Sequence, residues 1–177
     1  MSKDLVEDNF VSYDENYDEY IKFLRLLFTE FHDNINIIDN IMDDDVFNNK
    51  TYIELVGVTN YIKRRLFPQM LAFFGQDDQF EDDVYPEFMD IQLMVLYLFD
   101  KLNYELDQIV MRFNFNIPVF NESMINLESV NYLLKLIYPQ LLLFSKIFDL
   151  KIQLIEGSID EKEFDRLMIE VHDSMFV

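Results

Sequence analysis

Apolar residues recur every three or four positions along most of the chain, the spacing of helices that bury one face. Ile21, Leu24, Leu27, Phe28, Phe31, Ile35 and Ile38 keep this step and predict a first helix over 18–39, with Asp18 and Glu19 at the end where a helix favours negative charge. Asp43, Asp44, Asp45, Asn48 and Asn49 then form a polar break with turn chemistry. A second helix is expected over 52–67, with Pro68 kinking or ending it and Gly75 placed as a C-terminal cap after the apolar run that follows. Pro86 suits the first turn of a third helix, in which Phe88, Ile91, Val95, Leu98, Leu102, Leu106, Ile109 and Phe113 form one long buried stripe.

The fourth helical region, 123–155, is divided by Pro139. From 133 to 150 it is apolar nearly all round, and only Lys135, Lys146, Asp149, Gln153 and Glu156 supply a narrow polar stripe, so it is expected at the centre of the fold. Gly157 ends it. Ser158 with Glu161 reads as a capping box for a last helix whose buried face is Phe164, Leu167, Met168 and Val171. Nowhere does the sustained alternation of a half-buried strand appear. The pattern predicts an all-α fold: one helical bundle of five to six helices over 18–177, two of them kinked by proline, preceded by an acidic, weakly ordered lead-in over 1–17.

The segments 60–73 and 131–144 align without gaps at Asn60/Asn131, Tyr61/Tyr132, Pro68/Pro139, Gln69/Gln140 and Phe73/Phe144. A duplicated helical hairpin with a proline kink in each half gives such a match, and so does coincidence in a chain rich in leucine and aromatics. Superposing 52–113 on 123–176 separates the two.

Composition narrows the function. The 177 residues are 50% apolar and 16% aromatic, enough for a sizeable core and too apolar for a disordered acidic tail. With no cysteine, disulfides, thiol nucleophiles and sulfur-ligated zinc are excluded. Lys and Arg number 14 against 34 Asp and Glu, a formal charge of −20, which excludes direct binding to a phosphate backbone. The start of the chain lacks the basic and apolar regions of a signal peptide, and the longest uncharged apolar stretch, 136–145, is too short to span a bilayer. A cytoplasmic protein away from membranes is expected.

Candidate chemistry is sparse. Glu30 and His32, like Glu170 and His172, are two residues apart, so neither pair shares a helix face as a di-iron site requires. The run 77–83 lacks the central glycine and terminal glutamate of a calcium-binding EF-hand. Arg25 with His32, and Arg166 with His172, resemble the Arg…His pair of the HEPN ribonucleases. Leu26 and Leu167 stand where that family carries a polar residue, and an acidic surface repels RNA, so these read as polar-face residues near helix ends. Lys63, Arg64 and Arg65, the one basic cluster, read as a solvated helix face pairing with nearby carboxylates. No catalytic residue, cofactor or metal is expected.

Charge is the informative feature. Residues 1–100 carry 22 acidic and 7 basic side chains, and residues 101–177 carry 12 and 7. Asp outnumbers Glu 20 to 14 although it is the poorer helix former, because much of it sits in breaks and caps. Solubility alone needs less charge than this. The expected function is that of a non-enzymatic acidic protein occupying a basic, nucleic-acid-binding surface of a partner protein, such as a nucleic-acid-processing enzyme or a toxin, in the manner of viral inhibitors, nucleic-acid mimics and immunity proteins. The expected contact residues are Asp43, Asp44, Asp45, Asp77, Asp78, Glu81, Asp82 and Asp83. The alternative is a helical interaction or assembly module that binds through an apolar groove or as a homo-oligomer, with Phe73, Phe74, 113–120 and 175–177 as candidate contacts.

Overall fold

The computed structural model describes residues 17–43, 49–76, 84–113 and 127–174. These form five helices and, among the described residues, no strand. Helix α1 is Tyr17–Met42. Helix α2 is α-helical over Asn49–Tyr61, takes a π-helical turn over Ile62–Leu66, and is α-helical again over Phe67–Gln76. Helices α3, α4 and α5 are Val84–Phe113, Leu127–Glu156 and Glu161–Ser174. Each of α1 to α4 packs against the next, α4 returns to α1, and α5 folds back onto α4. The result is an all-α bundle with α4 touching each of the other four helices, the central place its all-round apolarity predicts.

The buried face of α1 is Tyr20, Phe23, Leu24, Leu27, Phe31, Ile35, Ile38 and Ile41. It is turned slightly from the predicted stripe, leaving Ile21 and Phe28 half-buried. Tyr17, assigned to the lead-in by sequence, already belongs to this helix, and its hydroxyl donates to the Ile155 carbonyl of α4. The rest of the lead-in lies outside the described residues.

Neither proline ends its helix. Pro68 follows directly on the π turn, where the Phe67 N–H donates to Ile62 O. A proline ring crowds the carbonyl four residues earlier; the wider turn ahead of Pro68 gives that carbonyl room. Two side-chain amides supply further donors here, Gln69 Nε2 to Arg65 O at 2.8 Å and Gln92 Nε2 of α3 to Phe67 O at 3.3 Å. The helix therefore runs on to Gln76 and takes Gly75 into its last turn, where the sequence suggested a cap. Pro139 lies within a continuous α4, on its exposed side, where water can reach the backbone acceptor that loses its donor. The two proline segments share their burial phase, with Ile62, Leu66 and Met70 buried like Leu133, Ile137 and Leu141, but not their backbone.

The α4–α5 turn is sharply specified. Gly157 has φ +83°, the Ser158 N–H donates to Gln153 O at 3.0 Å, and the Gly157 N–H donates to Leu154 O at 3.2 Å, the paired bonds of a Schellman cap. The cap of α5 is Asp160, whose Oδ1 accepts from the Glu163 N–H at 2.8 Å, two residues beyond the predicted Ser158–Glu161 box. Buried Lys151 on α4 places its Nζ 5.3 Å above the Phe164 ring of α5. At the core, Phe31, Phe67 and Phe144 bring α1, α2 and α4 together, with ring centroids 4.8–6.0 Å apart.

Candidate functional site

Of the eight carboxylates expected to contact a partner, Asp43 alone is described. It is exposed, and its N–H donates to Asp39 O at 3.1 Å as α1 closes. Asp44, Asp45, Asp77, Asp78, Glu81, Asp82 and Asp83 lie outside the described residues. The two acidic runs attach at opposite ends of α2, whose 28 residues from Asn49 to Gln76 span about 40 Å. That separation is several Debye lengths at physiological salt, so the two attachment points are electrostatically independent. Phe74, the 114–120 segment and 175–177, the candidate apolar contacts, also lie outside the residues whose side chains are described, as do the side chains of Phe73 and Phe113.

The basic cluster rides on the π turn and pairs with a carboxylate as expected, although Arg65 is not on the solvated face. Lys63 Nζ pairs with Asp100 Oδ1 of α3 at 3.3 Å, and Arg64 is exposed. Arg65 is half-buried, and its Nε and Nη2 are sequestered without a hydrogen-bond partner. Next to it the Tyr61 hydroxyl donates to Glu30 Oε1 at 2.7 Å. Burial, and then the hydrogen bond and charge of Glu30, push the Tyr61 pKa up to about 12, with Arg65 opposing.

The arginines of the two Arg…His pairs are engaged with carboxylates. Arg25 reaches Asp149 at 2.7 Å and Glu156, both on α4, clamping α1 to the central helix. Burial lowers the Arg25 pKa and the hydrogen bonds to Glu156 and Asp149 more than restore it, leaving it raised. His32 packs edge-on against Phe28, with centroids 5.1 Å apart. Arg166 pairs with Glu163 and, at 3.3 Å, with Glu170 on the exposed side of α5. Among the described residues no three His, Asp or Glu side chains are placed to hold a metal ion, and no helix is long and apolar enough to cross a membrane.

The surface that stands out is the solvent side of α3 where it meets α4. Leu93, Tyr97, Tyr104 and Met111 recur at intervals of four and seven on one helix face, all more than half exposed. Asp90, Asp100 and Asp107 are interleaved with them, also exposed. Alongside, α4 contributes exposed Tyr132 and Leu136. Between the two helices lies an open groove of 540 Å³ lined by Tyr97, Asp100, Lys101, Tyr104 and Glu105 of α3 and Ser129, Tyr132 and Leu133 of α4. Soluble proteins seldom leave large apolar side chains contiguous without use, and tyrosine and methionine are enriched in protein interfaces. The buried stripe of α3 absorbs the sequence reading of that helix. Its second apolar stripe, on the opposite side, is visible in the same residues once every apolar position, and not the dominant phase alone, is assigned a face.

No protein family, curated protein or solved structure matches the chain.

Proposed function

We propose that this protein is a non-enzymatic binder of a basic partner protein and that the α3–α4 face seats that partner. The observation that carries the reading is the alternation on one helix face of Leu93, Tyr97, Tyr104 and Met111 with Asp90, Asp100 and Asp107. The aromatic and aliphatic groups provide contact area that excludes water, and the carboxylates select a positive counterpart and speed its approach. A formal charge of −20 acts in the same direction at longer range, and nucleic-acid-binding sites are the commonest strongly basic protein surfaces such a body meets. Occupying such a site in place of phosphates is the inhibitory mode that fits this charge.

The test is affinity capture from the native host with the unmodified chain and with a triple Asp90→Asn, Asp100→Asn, Asp107→Asn variant. Each is run at about 0.1 M and about 1 M salt, between which the screening length falls from ~10 Å to ~3 Å. The reading requires a basic protein held by the unmodified chain at low salt, lost at high salt and weakened by the triple variant. A partner held equally at both salts and by both chains would instead make this face an apolar docking groove, the second reading that exposed Leu93, Met94 and Met111 favour.

A further inference from the structure

Charges in the α3–α4 groove are unequally satisfied. Asp100 pairs with Lys63 at 3.3 Å while its side chain stays largely open to solvent. Lys101 is held over the Tyr97 ring, its Nζ 5.0 Å from the centroid, a cation–π contact within the same groove. Glu105 is different. It is half-buried in the groove, next to Tyr104 in sequence and facing the α4 residues Ser129, Tyr132 and Leu133. It makes no ion pair or hydrogen bond among the described residues. A half-buried carboxylate that lines the same groove as exposed Tyr104 and Tyr132 suits one positive group that is both planar and charged.

We propose that Glu105, Tyr104 and Tyr132 form the seat for an arginine side chain of the basic partner. The inference rests on the reading above, that the partner is a basic protein. Guanidinium suits the seat better than ammonium for two reasons. Its flat face stacks on a tyrosine ring while its N–H edge donates two parallel hydrogen bonds to a carboxylate, and it is the more weakly hydrated cation, so partial burial costs it less. The seat is also the point where the acidic and the aromatic character of the face coincide, so a single arginine engages both. The rest of the face then supplies area and long-range attraction.

The experiment compares two short peptides of equal length and charge, one with arginine and one with lysine at every basic position. Both are titrated into the intact protein at low salt, with tyrosine ring resonances followed by NMR and affinity read from the titration. The expected result is a preference for the arginine peptide of roughly fivefold or more, with the Tyr104 and Tyr132 rings shifting most. In Glu105→Gln and in Tyr132→Leu, the preference should fall to about one while far-UV circular dichroism stays unchanged; Tyr132 is 64% exposed, so its replacement leaves the core untouched. Equal affinity for the two peptides in the unmodified chain, or an undiminished preference in both variants, overturns the seat. If both peptides bind equally and release with salt, the acidic-binder reading survives and the seat does not. Binding of neither peptide overturns both. Association of the protein with itself, blocked by Tyr132→Leu, would assign the groove to a second copy of this chain and overturn the arginine seat as well.

Discussion

Replacing Phe144 by alanine tests whether the aromatic junction of α1, α2 and α4 holds the fold together. Phe144 is completely buried, and its ring lies 5.4 Å from that of Phe31 and 4.8 Å from that of Phe67. A phenylalanine buries about 200 Å², worth about 5 kcal/mol at ~25 cal/mol per Å², an upper bound because the unfolded chain already hides part of it. Measured phenylalanine-to-alanine changes in cores cost about 3–5 kcal/mol, so about 4 kcal/mol is expected. In a domain of this size that lowers Tm by roughly 8–16 °C and consumes a large part of a total stability of about 5–15 kcal/mol. Urea unfolding followed by far-UV circular dichroism measures it. A double-mutant cycle of Phe67→Leu with Phe144→Leu should give a coupling of about 1 kcal/mol, because the two rings are in direct contact. A loss for Phe144→Ala below about 1.5 kcal/mol, or a cycle that closes with no coupling, would show that the three helices are not joined through these rings.

Other outcomes follow from single features of the backbone and the charges. Pro139→Ala should raise the urea midpoint, by up to ~3 kcal/mol in stability, because it restores a donor inside a continuous helix; a smaller effect is expected for Pro68→Ala, where the π turn already accommodates the ring. Gly157→Ala should cost about 1 kcal/mol through its left-handed φ alone, since open space surrounds the added methyl; an unchanged midpoint would contradict the cap geometry. Tyr61, raised from 10.0 to about 12, favours its neutral form in the folded protein. Its contribution is therefore complete below pH 10 and lost as pH rises through about 12, so the fall in stability above pH 10 should be shallower in Tyr61→Phe, as followed by denaturant titration alongside tyrosinate absorbance.

Much of the fold is legible in the sequence because helix periodicity is set by burial, and burial here is strong. The stripe from Ile91 to Ile109 on α3 and the all-round apolarity of α4 translate directly into the observed packing. Where local chemistry competes with packing, the reading is less exact. Pro68 looks like a terminator by propensity, yet Leu66, Phe67 and Met70 are buried on both sides of it, and packing carries the helix through with a π turn. Ser158 and Asp160 are both capable caps, and the Schellman turn at Gly157 decides which one the chain reaches in helical geometry. The face proposed for the partner is less legible. Charge counting draws attention to the acidic runs at 43–45 and 77–83, whereas Glu105 is a single residue whose significance depends on Tyr132, which is brought near it only by the packing of α3 on α4.

The pairing of the first helix with the fourth also sets an order of events during synthesis. Arg25 meets Asp149 only 124 residues later, and Tyr17 meets Ile155 after 138. At about 5–20 residues added per second, the apolar side of the first helix waits on the order of ten seconds for its mate. The second helix can cover part of this face early, through Phe67 against Phe31, but the part that α4 covers stays open throughout that interval. Asp18, Glu19, Glu30, Asp33 and Asp39 on the same segment make neighbouring nascent chains repel one another. Carboxylates on the leading half of the chain thus act at a stage that ends before the bundle is closed.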